Sequence, residues 1–185
     1  MDDRSTDNTN QIVSNYIEQD ERFKFYVRPC NRLRGGNAAR NYGFEKSQGD
    51  YIQWFDSDDI MFPDYLQKRM DVFNDNSRVD IVFAAFTYFD KQGLQSRVNN
   101  QSFSGNILDD LIFGKLSFSP LSYLIKRKVL NDITFDENLK RAQDLDFFFR
   151  LFTSISNLNI QHIPIILFKV RKHAISISGQ SDKKG

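Results

Sequence analysis

The 185-residue sequence has a single cysteine, Cys30, and that scarcity excludes an internal disulfide framework and a Cys-based metal cluster while fitting a reducing compartment. An excess of either charge is missing too. The 25 Lys and Arg nearly cancel the 24 Asp and Glu, leaving +1, so no global field favours nucleic acid or an anionic membrane, and function must come from local sites. No stretch approaches the ~20 apolar residues that span a bilayer. The polar start Met1-Asp2-Asp3-Arg4 does not match the apolar region of a signal peptide. The sequence therefore reads as cytoplasmic, with any bilayer contact peripheral, at the inner face of the membrane.

What is present is a core. At 40% hydrophobic residues, with 18 phenylalanines mostly inside apolar runs, the chain fits one domain over 1–178, and Gly179 to Gly185 read as a flexible tail. No segment reads as an interdomain linker. Ser5-Thr6-Asp7-Asn8 offers N-cap oxygens, and Ile12, Val13, Tyr16 and Ile17 recur at helical spacing, predicting a helix to about Gln19. A short strand follows over Phe23–Val27, then a helix from Asn37 to Lys46 opened by Gly35-Gly36. Tyr51–Phe55 reads as a buried strand that runs into Asp56-Ser57-Asp58-Asp59. Pro63 suits a helix start, with Leu66, Met70 and Phe73 on one face, and Ile81–Phe89 reads as a central strand. Asp90–Gln101 turns polar, as a loop or irregular hairpin; Leu121–Ile125, a helix over Asp144–Thr153 and Ile163–Val170 complete the chain. This alternation implies an α/β fold with a largely parallel sheet and helices on both faces. The chain opens on a polar loop rather than a strand, so a leading βα piece of roughly 30 residues is expected to be missing.

Open α/β sheets bind ligands beyond the C-terminal ends of their strands, where Asp56, Asp58 and Asp59 crowd together. Such carboxylates repel one another unless a cation or hydrogen-bond donors offset them, and hard oxygen ligands favour Mg²⁺ or Mn²⁺ with a substrate phosphate as natural co-ligand. An acidic turn that merely caps a helix is the alternative for that motif in isolation. Asp2 and Asp3 precede the first helix cap and are not needed for it. Gly35-Gly36-Asn37-Ala38-Ala39-Arg40 combines small residues with a cation one turn on, suiting either phosphate contact or tight helix packing. Asp144 and Asp146 open a helix, where a carboxylate compensates the dipole or serves as a base. Arg171-Lys172-His173 follows a strand and brings an imidazole that suits Mn²⁺. His162 reads as a surface or capping residue.

The order of these pieces is more specific than any one of them. Asp-Asp-x-Ser-Thr-Asp, then Ala39-Arg40-Asn41-x-Gly43, then Gly49-Asp50-Tyr51-Ile52 into Asp56-Ser57-Asp58-Asp59, then Asp144-x-Asp146, then Arg171-Lys172-His173 and Ser176-Ile177-Ser178 resembles the family 2 glycosyltransferases of GT-A fold. The resemblance covers nearly the whole chain and implies a Rossmann-like GT-A domain. Its nucleotide-sugar-binding half spans 1–89 and its acceptor and catalytic half 90–178, and it is truncated before the first strand and helix. It implies Asp3 on the nucleotide base, Arg40 at the donor, Asp56 at the ribose, Asp58 on the metal, Asp144 as catalytic base, and His173 at the metal or diphosphate. The implied donor is a nucleotide-diphosphate sugar, UDP-linked by the family's habit. The implied acceptor is a saccharide or lipid-linked hydroxyl of cell-surface polysaccharide or glycolipid synthesis, entering along Phe118–Arg127.

Asp144 and the metal site stand in different segments, as inverting transfer needs, because the base must face the opposite side of the sugar from the leaving group. Three departures from the family pattern stand out. Nothing matches its opening apolar strand, Gln143-Asp144 replaces Glu-Asp, and Ile133-Thr134-Phe135 stands where glycine often precedes Phe-Asp-Glu. Two rivals remain at this level: an inactive, truncated glycosyltransferase-like domain that binds nucleotide, and a haloacid-dehalogenase-like phosphotransferase built on Asp56-Ser57-Asp58-Asp59-Ile60.

Overall fold

The computed structural model describes residues 1–93, 95–99, 102–116 and 119–172; Phe118, His173, Ser176–Ser178 and the tail from 179 lie outside the described residues. In chain order the elements are α1 (Thr9–Gln19), α2 (Gly36–Lys46), β1 (Tyr51–Ile52), β2 (Ile60–Met61), α3 (Tyr65–Asp75), β3 (Ile81–Phe89), β4 (Gln95–Asn99), α4 (Ile107–Ile112), β5 (Tyr123–Lys126), α5 (Arg127–Leu130), α6 (Gln143–Ser154) and β6 (Ile160–Arg171). They gather into two compact units: Met1–Gly49 with Thr134–Gln143, and Asp50–Ile133 with the chain from Asp144 onward.

In the first unit the predicted strand over Phe23–Val27 reduces to one parallel bridge, Val27 to Asp2. Backbone bonds from Asp2 N to Tyr26 O and from Arg28 N to Asp2 O, both 2.9 Å, form it. α1 is the crossover between its two sides, and none of its residues is buried. Its N-cap is Asn8, with no side-chain cap bond. Asp7, the residue before it, accepts the Thr9 N–H at 3.0 Å.

The second unit is built on a mixed sheet in the order β1-β5-β3-β6-β2, with β4 on β3. Among the described residues of this sheet only the β3–β6 pairing is parallel; β1–β5, β3–β5, β3–β4 and β2–β6 are antiparallel. The largely parallel sheet read from the helix–strand alternation is thus corrected to a mixed one. The short link from β3 to β4 permits only a hairpin, since a parallel return needs a crossover of about a dozen residues or more. β3 is buried along nearly its whole length, as its unbroken apolar run requires of a strand covered on both faces.

Helices do cover both faces. On β5, Leu124 clusters with Phe73 of α3 and Val82, while its neighbour Tyr123 meets Phe148 of α6 with ring centroids 4.3 Å apart. Successive strand residues point to opposite sides, so α3 and α6 lie on opposite faces. α6 buries Phe147, Phe148, Leu151 and Phe152, spaced as one helical stripe. Each such aromatic or leucine removes side chain from water worth about 1.5–3 kcal/mol. No helix among the described residues is long and apolar enough to cross a membrane.

Candidate functional site

β1 ends at Ile52, three residues earlier than the sequence pattern suggested, and Gln53–Asp56 continues without ladder bonds into the acidic turn. The turn is closed by the Asp59 N–H donating to Asp56 O at 3.2 Å. It is fastened at the far end of β6: the Arg171 N–H donates to Asp59 Oδ1 at 2.7 Å, and Arg171 Nε donates to Asp58 O at 3.0 Å. Arg171 itself lies over the Phe89 ring, 4.5 Å from its centroid. Pairing of β2 with β6, through Ile60 and Lys169, carries this attachment on from the turn.

Burial pushes Asp59 up to about 6. The Arg171 N–H works against that rise, and the charges of Asp58 and Asp56 add to it. The Asp58 side chain is exposed and Asp56 half-buried. Among the described residues no group of three or more His, Cys, Asp or Glu is arranged to hold a metal ion. Mg²⁺ and Mn²⁺ commonly take one or two carboxylates and fill the remaining positions with water and phosphate oxygens. An exposed Asp58 beside Asp59, whose proton affinity its charge helps to raise, fits that mode. His173 lies outside the described residues, two positions after Arg171.

Asp144 is half-buried in the first turn of α6. Its neighbour Asp146 is engaged by Arg150, four residues on, at 2.6 Å, a helix ion pair. One turn after Asp144, Phe147 packs edge-to-face on Trp54 at 5.3 Å, joining α6 to the segment that leads to the acidic turn.

The first unit holds Asp3 and Arg40. Asp3 accepts the Gly35 N–H at 3.2 Å on Oδ2 and pairs through Oδ1 with Nε of Arg28, a buried side chain. Asp2, next to it, is structural: it accepts the N–H groups of Arg4 and Ser5 at 2.9 and 3.0 Å. Burial opposes its ionisation, but the bonds from Ser5 and Arg4 outweigh that and hold the carboxyl below its usual range. Gly35 caps α2 at φ 120°, where an L side chain is strained. A Cβ on Gly36 would stand 3.2 Å from Arg40 Nη1, so glycine there lets the guanidinium fold back over the helix start. Asp3 and Arg40 are thereby brought to the same end of α2.

Several residues that sequence reasoning passed over hold these groups in place. Asn37 Nδ2 donates to Asp136 O at 2.6 Å. Asn41 Nδ2 donates to Phe135 O and Glu137 Oε1, and its Oδ1 accepts the Phe135 N–H, each at 2.9 Å. Two amides four residues apart in a helix share a face, a signal legible in the sequence. Arg28, Gln53 and Arg69 gave no such signal, because their roles rest on segments distant in sequence.

The sequence model of the family described as Glycosyl transferase family 2 matches residues 1–134. An uncharacterized glycosyltransferase of Haemophilus influenzae is 34% identical over 148 residues, covering 80% of this chain and 56% of that protein. The minor teichoic acid biosynthesis protein GgaB of Bacillus subtilis is 28% identical over 146 residues, covering 78% of this chain and 16% of its own. Among solved structures, Staphylococcus aureus TarS residues 1–349 in complex with UDP-GlcNAc superimposes with a TM-score of 0.75 at 22% identity, over 93% of this chain and 48% of that one. This likeness identifies the α/β fold as GT-A. The chain spans about half the length of the Haemophilus relative and of that structure.

Proposed function

This chain belongs to glycosyl transferase family 2, and we propose that it carries out inverting transfer of a sugar from a nucleoside-diphosphate donor, UDP-linked, to a hydroxyl acceptor. The observation that carries this reading is the acidic turn Asp56–Asp59, pinned by Arg171 beside the segment that leads to His173. Asp58, with His173, would hold Mn²⁺ or Mg²⁺, and Asp56 would accept from the ribose. Bound there, the cation supplies positive charge that offsets the charge developing on the departing diphosphate.

Asp144 would take the proton of the acceptor hydroxyl as its oxygen attacks the anomeric carbon. Its place on α6, joined to the turn's lead-in through Phe147 and Trp54, supports a base held in fixed relation to the donor carboxylates. Asp3 would meet the nucleotide base. Arg40, folded over the start of α2, would face donor anions at a helix N-terminus. The 1–89 portion would thus serve the donor and the 90–178 portion the acceptor and the base. GgaB's role in teichoic acid biosynthesis favours a cell-surface polysaccharide or a lipid-linked saccharide as acceptor. We place the reaction in the cytoplasm with peripheral contact at the inner membrane face.

The test is thermal unfolding of the purified protein with UDP, GDP and their sugars, each with and without Mn²⁺. Nucleotide in the presence of Mn²⁺ should raise Tm, by the equivalent of ~2.7 kcal/mol at a hundredfold excess over Kd. Asp58→Ala should remove the Mn²⁺-dependent part. A full metal-dependent response in Asp58→Ala would overturn the metal assignment. Hydrolysis of simple phosphate esters, with no nucleotide response, would return the phosphotransferase reading.

A further inference from the structure

Arg69, on α3, is completely buried, yet it forms no ion pair among the described residues. All its hydrogen bonds go to neutral acceptors. Nη1 donates to Gln53 Oε1 at 2.6 Å, to Tyr65 Oη at 3.0 Å and to Leu121 O at 3.3 Å; Nη2 donates to Leu121 O at 3.3 Å. The guanidinium lies over the Tyr65 ring, 4.0 Å from its centroid, and Nε is buried without a hydrogen-bond partner. Burial pulls Arg69 down only to about 10, so it remains charged at neutral pH. A buried charge lacking a counter-ion is costly, and an apolar side chain of similar volume commonly serves stability as well or better. Helix packing alone therefore gives no reason for an arginine here.

The reason lies with Gln53. An arginine only donates, so Arg69 fixes the carbonyl end of the Gln53 amide towards itself and turns Nε2 the other way. That nitrogen donates to Trp54 O and Pro120 O, both at 2.9 Å. These bonds stand in for the ladder that β1 gives up at Ile52. Phe55 is held by the same helix, edge-to-face on Tyr65 at 5.7 Å. Trp54 reaches Phe147, one turn beyond Asp144. One buried cation thus governs the three residues that connect β1 to Asp56 and the contact that ties them to α6.

We propose that Arg69 is a positioning residue that acts through Gln53 to fix the Gln53–Asp56 segment, and with it the placement of the donor-binding carboxylates Asp56 and Asp58. This rests on the donor-site reading above for its consequence, though not for its geometry.

Trp54 is the only tryptophan of the chain, which makes the segment directly observable. In the full chain, Arg69→Met should leave Tm equal or higher. It should also shift Trp54 emission to the red, raise its quenching by acrylamide, and weaken Mn²⁺-dependent UDP binding by about 10–100-fold, the usual size of an outer-shell defect. Gln53→Met should give the same emission and binding changes, with a lower Tm because the buried guanidinium loses its shortest acceptor. The double variant should bind no worse than either single one, because the arginine works through the amide. Arg69→Lys, which keeps a donor for Gln53 Oε1, should recover part of the binding and the native emission.

Native-like emission together with native UDP affinity in Arg69→Met would overturn the proposal. So would a binding loss in Arg69→Met that tracks a fall in Tm, which marks a purely structural residue. If Arg69→Met fails to fold, the lysine and Gln53 variants decide by the same two readouts. If the unaltered protein binds no nucleotide, the donor-site reading fails, and Trp54 emission alone still decides whether Arg69 positions the segment.

Discussion

Asn41 and Phe135 stand 94 residues apart and are joined side chain to backbone: the Asn41 amide accepts the Phe135 N–H and donates to its carbonyl, both at 2.9 Å. The amide thereby gives a non-helical segment the two bonds a strand partner would have supplied. Both members are buried.

Asn41→Leu keeps approximately the side-chain volume and strands both backbone groups. At ~1–3 kcal/mol for each unsatisfied buried group, the loss should be about 2–6 kcal/mol. Urea unfolding should show a lower midpoint at unchanged slope; a midpoint within error of the native one would mean that water replaces the amide.

Arg28 is buried and Asp3 is its ion-pair partner, with a third of the Asp3 side chain still in water. Asp3→Asn leaves the guanidinium facing a neutral amide, and the cost should be about 1–3 kcal/mol, below the full penalty for breaking a buried pair because water reaches one side. Arg28→Met combined with Asp3→Asn should regain part of it, measured as a coupling in a double-mutant cycle. Strict additivity would show that the pair does not couple.

Asp59 supplies a pH dependence with a definite sign. Its folded value of about 6 lies above the ordinary 3.8, so between those values the folded chain keeps a proton that the unfolded chain has released. Stability should fall as pH rises from about 4 to about 6 and level off above that. Asp59→Asn retains an oxygen for the Arg171 N–H and removes the titration. Its unfolding midpoint should lose this slope and exceed that of the unaltered protein at pH 7. An unchanged slope would place the titration elsewhere.

Asp144→Asn preserves shape and removes the base. Transfer should fall by about 10²–10⁴-fold, the usual contribution of a positioned general base, while the Kd for nucleotide with Mn²⁺ stays as it was. Parallel loss of both would assign Asp144 to the fold instead of the chemistry.

Much of this was legible in the linear chain. The apolar run Ile81–Phe89 has no polar face, so it had to be an interior strand, and it is β3. The stripe Phe147, Phe148, Leu151 and Phe152 had to be one buried helix face, and it is α6. Strand direction was not legible, because β5 and β6 reach β3 from distant sequence and alternation carries no record of which way they run. Nor was the end of β1 at Ile52: Trp54 and Phe55 have strand-like side chains, and what replaces the ladder is an amide fixed by an arginine sixteen residues on.

The sequence by itself determined the family, the α/β class and which carboxylates gather after the strand at Tyr51, because those follow from residue types in order along the chain. Tertiary structure alone decided what each carboxylate touches. Asp2 closes a turn, Asp3 balances Arg28, Asp59 is held by Arg171, and the Asp58 side chain is the exposed one. The four are chemically one residue type. Their differences arise from burial and from hydrogen-bond donors, which in the cases of Asp3 and Asp59 come from sequence positions far away and set whether a carboxylate pays for desolvation or stays available to a ligand.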